Sequence, residues 1–196
     1  MSFSIELELQ KLPKTIKLKD DKKAVLRQLL PEDEKEFHQF FQGIPEPERM
    51  FIKHRVQDLK VIHDWCKNID YGRNLPLLGL IDKKIVGAAT LHQQLGGWKR
   101  HIGRVSVLVH PEFRGRGLAR ALISEILDIA RRASLERVEA EFIGEQETAM
   151  KMFAMLGFNQ LLRLDDYVKD MQAITHDYIL MGLDLRTDEE YAGVGG

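Results

Sequence analysis

Residues 105–119 read V-S-V-L-V-H-P-E-F-R-G-R-G-L-A, and the fold is decided there. The β-branched, apolar run over Ile102–Val109 is the pattern of a strand buried on both faces. Residues 111–116 form a turn. From Gly117 to about Ala133, Leu118, Leu122, Ile126 and Ala130 recur every four residues, with Ala119 and Ile123 beside them, which predicts a long amphipathic helix. A helix start leaves its first N–H groups without partners. The amides from Gly115 to Ala119 therefore point outward at the positive end of the helix dipole and make a site for phosphate. Glycine at 115 and 117 removes Cβ atoms that would block a close approach. Arg114 and Arg116 can add charge-assisted bonds. No Gly-Lys-Ser/Thr follows, so the stretch is not a P-loop, and 115–120 (G-R-G-L-A-R) is not the dinucleotide G-x-G-x-x-G. Alone, R-G-R-G is as readily a surface turn. The strand before it and the helix after it favour anion binding.

Outward from this centre the chain alternates short elements. Downstream, Arg137–Ile143 is a strand with Val138, Ala140 and Phe142 on one side; residues 147–156 are a short helix ended by Gly157. Residues 158–164 and 177–185 are two last strands joined by a polar loop, and 186–196 read as a frayed tail. Upstream, 75–81 and 85–92 flank Asp82-Lys83-Lys84 as a β-hairpin. Residues 50–67 read as one helix with Phe51, Val56, Leu59, Ile62, His63 and Cys66 at helical spacing. Pro31-Glu32-Asp33 opens an earlier helix with Phe37, Phe40 and Phe41 as its buried stripe, and a break at 43–47 separates it from the next. Residues 15–18 and 24–30 are strands. Residues 3–9 (F-S-I-E-L-E-L) alternate with a strand's period. The order predicts one α+β domain over 1–185, with 1–23 as a strand and hairpin extension, around a mixed sheet.

Lys and Arg number 29 against 30 Asp and Glu among 196 residues, a net charge of −1. That excludes a protein that coats nucleic acid, which needs a surplus of cations, and two arginines in one turn do not supply it. No apolar run approaches the roughly 20 residues that span a bilayer. Residues 1–11 carry acids, so no secretory signal and no membrane partner are expected. The single cysteine, Cys66, permits neither an internal disulfide nor a cysteine-based zinc site, and no metal is expected. A cytoplasmic location is the default.

Val107–Val109, Pro111 and Arg114-Gly115-Arg116-Gly117-Leu118-Ala119 resemble the coenzyme A-binding motif R-x-x-G-x-G/A of the GNAT family of N-acetyltransferases. Residues 149–158 (A-M-K-M-F-A-M-L-G-F) resemble its later helix and Gly-Phe ending, and 167–170 with 177–181 its closing strand pair. A looser similarity links Leu30-Pro31-Glu32-Asp33, Ile69-Asp70-Tyr71, Ala140-Glu141-Phe142 and Glu145-Gln146 to the acetyltransferase domain of bacterial protein-lysine acyltransferases. The resemblance implies a mixed, mostly antiparallel sheet, flanked by helices, with splayed central strands. It implies acetyl-CoA as cofactor, held by Leu108, Val109, Arg114, Gly115, Arg116, Gly117, Leu118, Ala119, Gln146 and Phe153. Its pyrophosphate would lie on the amides of 115–119, its pantetheine arm in the gap between strands. The Leu108 amide would stabilise the oxyanion. The implied reaction is direct attack of a primary amine, on a small molecule or a protein lysine, in a ternary complex. A homodimer is also implied.

Three positions depart from the family pattern. Phe153 stands where many members carry a tyrosine acid; Gln146 replaces an asparagine; Arg104 replaces the glutamate base of the protein-lysine subgroup, and arginine is no base at neutral pH. An alkylammonium of pKa about 10.4 must still lose its proton. The candidate bases are Glu141 first, then Glu139, His101, His92 and Glu145. Asp165, Asp166, Asp170 and Asp177 surround the last loop and could attract a cation. Met150, Met152 and Met155 read as core, Trp98 and Arg100 as loop anchors, and Cys66 as a buried helix residue. The departures motivate a rival: a non-catalytic acyl-CoA-binding module.

Overall fold

The computed structural model of the protein describes residues 5–49, 52 and 55–186. An eight-stranded sheet has the order β1-β2-β3-β4-β5-β6-β8-β7. Its strands are β1 (Lys14–Lys17), β2 (Lys23–Gln28), β3 (Asn74–Ile81), β4 (Lys84–His92), β5 (Ile102–Val109), β6 (Arg137–Ile143), β7 (Asn159–Lys169) and β8 (Thr175–Asp184). Every pairing is antiparallel except β5 with β6. The helices are α1 (Ile5–Leu9), α2 (Glu34–Gln42), α3 (Glu46–Arg49), α4 (Leu59–Lys67), α5 (Leu118–Arg132) and α6 (Glu147–Met155).

Two apolar layers sandwich the sheet. On one face Leu118, Leu122, Ile123 and Ile126 of α5 pack on Leu75, Leu77, Ala89, Leu91 and Val105. Each of the leucines, isoleucines and the valine contributes about 1.5–3 kcal/mol on burial. On the other face α2 and α4 bury Phe37, Phe40, Phe41, Ile62 and Cys66 over Leu78, Leu80 and Ala88. The Phe37 and Phe41 rings meet at 4.9 Å. Asp33, almost fully buried, accepts both guanidinium nitrogens of Arg27 and the Leu30 amide at 2.8 Å, which joins β2 to the start of α2.

Four expectations change. Ile5–Leu9 is a helix, not a strand: Ile5 and Leu9, four apart, both reach the α5 layer while Leu7 is 54% exposed. Seven alternating residues fit either period, and packing chose; Phe3 lies outside the described residues. The helix expected over 50–67 is only Leu59–Lys67, because Asp58 caps it by accepting the Lys60 amide at 2.9 Å. Met50, Phe51, Lys53 and His54 lie outside the described residues, and Val56 is buried in a turn. Strand β5 is not buried on both faces: Arg104 and Ser106 are exposed. The last two strands run on to Lys169 and back from Thr175, so Asp165 and Asp166 lie in β7 and Asp177 in β8, not around a loop. An edge strand tolerates such charges, and irregular pairing between Leu164 and Val168 accommodates them. The tail expected from 186 lies, beyond Arg186, outside the described residues.

Candidate functional site

Strands β5 and β6 pair over three positions only: Ile102 with Arg137, Gly103 with Val138, Arg104 with Glu139. Beyond them the strands diverge. β5 stays bonded to β4 as far as Val109, and β6 stays bonded to β8 as far as Ile143. Two facing backbone edges, 105–109 and 140–143, are left open to each other. The splayed central pair expected from the resemblance is present.

At the wide end of this gap β5 enters a single 3-10 turn, Pro111–Phe113, and then α5. Gly115 has φ +76° and Gly117, which caps α5, φ +88°. A Cβ at Gly115 would meet nothing within 4 Å, and one at Gly117 only the Lys19 side chain at 3.7 Å. Glycine is required here by the left-handed backbone, not by crowding within the protein. That conformation turns the chain so that α5 begins with its unpaired amides at the mouth of the gap.

Both arginines of the turn are engaged within the protein. Arg114 donates from Nε to the Val109 carbonyl at 2.9 Å, and from Nη1 and Nη2 to the two oxygens of Glu48 at 2.9 and 2.6 Å. Arg116 donates to Asp20 at 2.8 Å and to the Glu112 carbonyl at 2.9 Å, with its guanidinium 5.1 Å from the Phe113 ring centre. They brace the turn, which leaves its main-chain amides as the candidate anion donors.

The register corrects the expectation at Leu108. His110 donates its amide to Val86 at 2.9 Å, which makes that pair a mutually bonded one. Antiparallel pairs alternate, so with an unbroken register Leu108 bonds to Ala88. The backbone groups of Val107 and Val109 therefore face the gap, and those of Leu108 do not. The Leu108 side chain packs against the α2/α4 layer. Phe153 is likewise displaced. It is 1% exposed, edge-on to Phe142 at 5.0 Å and Phe158 at 4.9 Å, a core residue with no surface to offer a cofactor. Gln146 turns inward to accept the Ile143 amide at 3.0 Å and so ties off the end of β6.

Directly opposed residues share a sheet face. The registers place His92, Arg104, Glu139, Glu141 and Tyr178 on the face that carries α2 and α4. Where β5 and β6 part, Arg104 Nη1 lies 3.2 Å from Glu141 Oε1, and the Tyr178 hydroxyl donates to that same oxygen at 2.9 Å. Burial, then the bond to Glu141, pushes the Tyr178 phenol up to about 12. Glu139 is mostly buried and lies 3.7 Å from Lys99. His92 faces Asn74 at 2.6 Å. His101 supplies its carbonyl to the Glu136 and Arg137 amides at the closed end. Glu145 is bound by His176 Nδ1 at 2.9 Å, beyond the end of β6. Trp98 is 87% exposed and anchors nothing apolar. Tyr178 and the Arg104 contact were not legible in the sequence, because they depend on which strand lies beside β6. Among the described residues no cluster of ligands suits a metal ion.

The arrangement can hold a diphosphate on bare amides, lay an extended chain along an open strand edge, and present a carboxylate where that chain would end. A thiolester acyltransferase needs these three things. The sequence model of the acetyltransferase (GNAT) family matches residues 32–158, and the chain belongs to that family. Acetyl-CoA is the donor the family uses. Over 77 residues, 37% of this chain, it is 31% identical to the L-amino acid N-acyltransferase MnaT of Escherichia coli. The L-methionine sulfoximine/L-methionine sulfone acetyltransferase of Salmonella typhimurium matches to the same extent. The chain spans 45% of the length of each of these curated relatives. In three dimensions it is similar to the GNAT domain of S. lividans PAT, with a TM-score of 0.73 at 18% identity over 87% of this chain and 96% of that one. It is similar also to yncA of Salmonella typhimurium solved with its cofactor acetyl-CoA, with a TM-score of 0.71 at 19% identity over 84% and 95%.

Proposed function

We propose that this chain is an acetyl-CoA-dependent N-acetyltransferase that transfers the acetyl group to a primary amine by direct attack in a ternary complex. One observation carries the reading: the opening between β5 and β6 ends on the glycine-cornered start of α5. The amides of Gly115, Arg116, Gly117, Leu118 and Ala119 would hold the pyrophosphate, with Arg114 and Arg116 holding the turn. When bound, the coenzyme supplies an acyl carbon activated as a thioester. The Val109 amide would donate to a pantetheine carbonyl, its own carbonyl being held by Arg114, and the Val107 amide would stabilise charge developing on the thioester carbonyl oxygen. Glu141 would receive the proton of the attacking amine. Phe153, in the core, has no proton to give; a thiolate of pKa near 8.5 is a tolerable leaving group without an acid.

A homodimer and a cytoplasmic site of action, where a lone buried thiol such as Cys66 stays reduced, complete the reading. No described helix is long and apolar enough to cross a membrane. The acceptor class named by the two curated relatives, an amino acid or its sulfone, joins lysine peptides, spermidine and glucosamine as the panel to screen. Calorimetry with acetyl-CoA tests the binding half, and thiol release with the panel tests transfer. The rival, an acyl-CoA-binding module without turnover, is favoured by the buried Phe153 and by Arg104 beside Glu141. Tight binding with no thiol released on any amine would establish the rival instead.

A further inference from the structure

Glu141 has two carboxylate oxygens and only one of them is occupied. Oε1 takes the Tyr178 hydroxyl at 2.9 Å and lies 3.2 Å from Arg104 Nη1. Among the described residues nothing bonds to Oε2. The terminal torsion of a glutamate is broad and two-fold, so an unrestrained carboxylate exchanges its oxygens freely. One hydroxyl donor from β8 and one guanidinium ion-paired from β5, both on the same oxygen, restrict that freedom. Tyr178 is itself held: it sits on β8 opposite Ile143, its ring 6.1 Å from that of Tyr167. Arg104 alone is a weaker restraint, because its side chain is about half exposed. On the same face Glu139 pairs with Lys99, and His176, two residues before Tyr178, is held by Glu145 and Asp170.

We infer that Tyr178 is a positioning residue: together with Arg104 it clamps Oε1 of Glu141 and so presents Oε2 to the acceptor amine. This rests on the role proposed for Glu141. In the step so arranged, the amine lone pair forms the C–N bond to the acyl carbon. The C–S bond breaks with its electron pair going to sulfur. The N–H proton passes to Oε2 and is later released to solvent. The phenol keeps its proton throughout and orients the receiver without entering the transfer. The clamp also accounts for arginine at position 104, where it fixes the carboxylate two residues further along the neighbouring strand.

The test is a double-mutant cycle of Tyr178→Phe and Glu141→Gln, with acetyl-CoA and whichever amine of the panel turns over fastest as probes. Tyr178→Phe keeps the ring and removes one donor. We expect kcat to fall by about ten- to a hundredfold, up to the loss that a misplacement of about 1 Å can produce. KM for the amine and calorimetric affinity for acetyl-CoA should stay within about twofold. In the Glu141→Gln background the same substitution should cost nothing further, since the clamp then has no proton receiver to hold. Equal losses in both backgrounds would overturn the clamp while leaving Glu141 in place. A silent Glu141→Gln would overturn the base assignment and the clamp with it. A measurement independent of turnover is ultraviolet titration of the tyrosines at 295 nm, with Tyr178→Phe identifying the band. The Tyr178 phenol should ionise near pH 12 in the native protein and earlier in Glu141→Gln. An unchanged titration would show that the two side chains do not touch in solution, and would overturn the inference.

Discussion

Gly117→Ala separates the conformation of the anion turn from its space. At φ +88° an alanine carries the left-handed penalty of roughly 1–2 kcal/mol, while its stiffer unfolded chain returns about 0.4–1 kcal/mol. Its Cβ would stand 3.7 Å from the Lys19 side chain, an ordinary contact that adds nothing. The net cost is therefore about 1 kcal/mol, a fall in Tm of roughly 2–4 °C for a chain of this size. Gly115→Ala, at φ +76° with open space around it, should cost about the same. Gly96, where the space is equally open and φ is not positive, is the control: Gly96→Ala should leave Tm unchanged or slightly raised. Affinity is the sharper readout. If the substituted turn relaxes to negative φ, the amides rotate off the phosphates. Losing even one charge-assisted bond of roughly 1.5–3 kcal/mol weakens binding by a decade or more. Thermal unfolding and calorimetry with acetyl-CoA measure the two quantities on the same samples. The reasoning fails if Gly115→Ala and Gly117→Ala both lower Tm as stated and yet bind acetyl-CoA within about twofold of the native protein.

Three further outcomes are expected. His176 stands between Glu145 at 2.9 Å and Asp170 at 3.3 Å; a bond from each ring nitrogen requires the imidazolium, and the Glu145 bond, then Asp170, raises its pKa. That stabilisation is complete below pH 6.5 and is lost as pH rises through the higher folded value, so His176→Gln should lower Tm at pH 6 and have little effect near pH 9. Phe153→Tyr should not restore a general acid. Its hydroxyl would enter a site only 1% exposed, cost about 1–3 kcal/mol if left without a partner, lower Tm and give no gain in turnover. Leu122→Ala, fully buried where α5 meets the sheet, should cost about 2–5 kcal/mol by denaturant unfolding.

Period and punctuation made much of the architecture legible. The hairpin at Asp82-Lys83, β5, the turn, α5, β6, and α6 ending at Gly157 all stand where alternation, helical spacing and glycine placed them. These elements are long, or are bounded by residues whose backbone preference is strong. The failures lie where those cues are weak. Residues 5–9 satisfy two periods at once, and contact with α5 chose between them. The polar ends of β7 and β8 carry no hydrophobic signature because one of them is a sheet edge.

The candidate site divides along the same line. The glycine-cornered turn is a local object, written in consecutive residues, and its left-handed glycines and the start of α5 stand where those residues placed them. The acceptor face is not. Whether Leu108 or Val107 offers its amide to the gap depends on the hydrogen-bond phase between β4 and β5, and one residue reverses the answer. Whether Phe153 meets a cofactor or the core depends on Phe142 and Phe158 coming from other elements. Arg104, Glu141 and Tyr178 are far apart in the chain and meet because β6 runs between β5 and β8. Backbone preference acts between neighbours in sequence. Strand order and register are settled only when distant surfaces exclude water together.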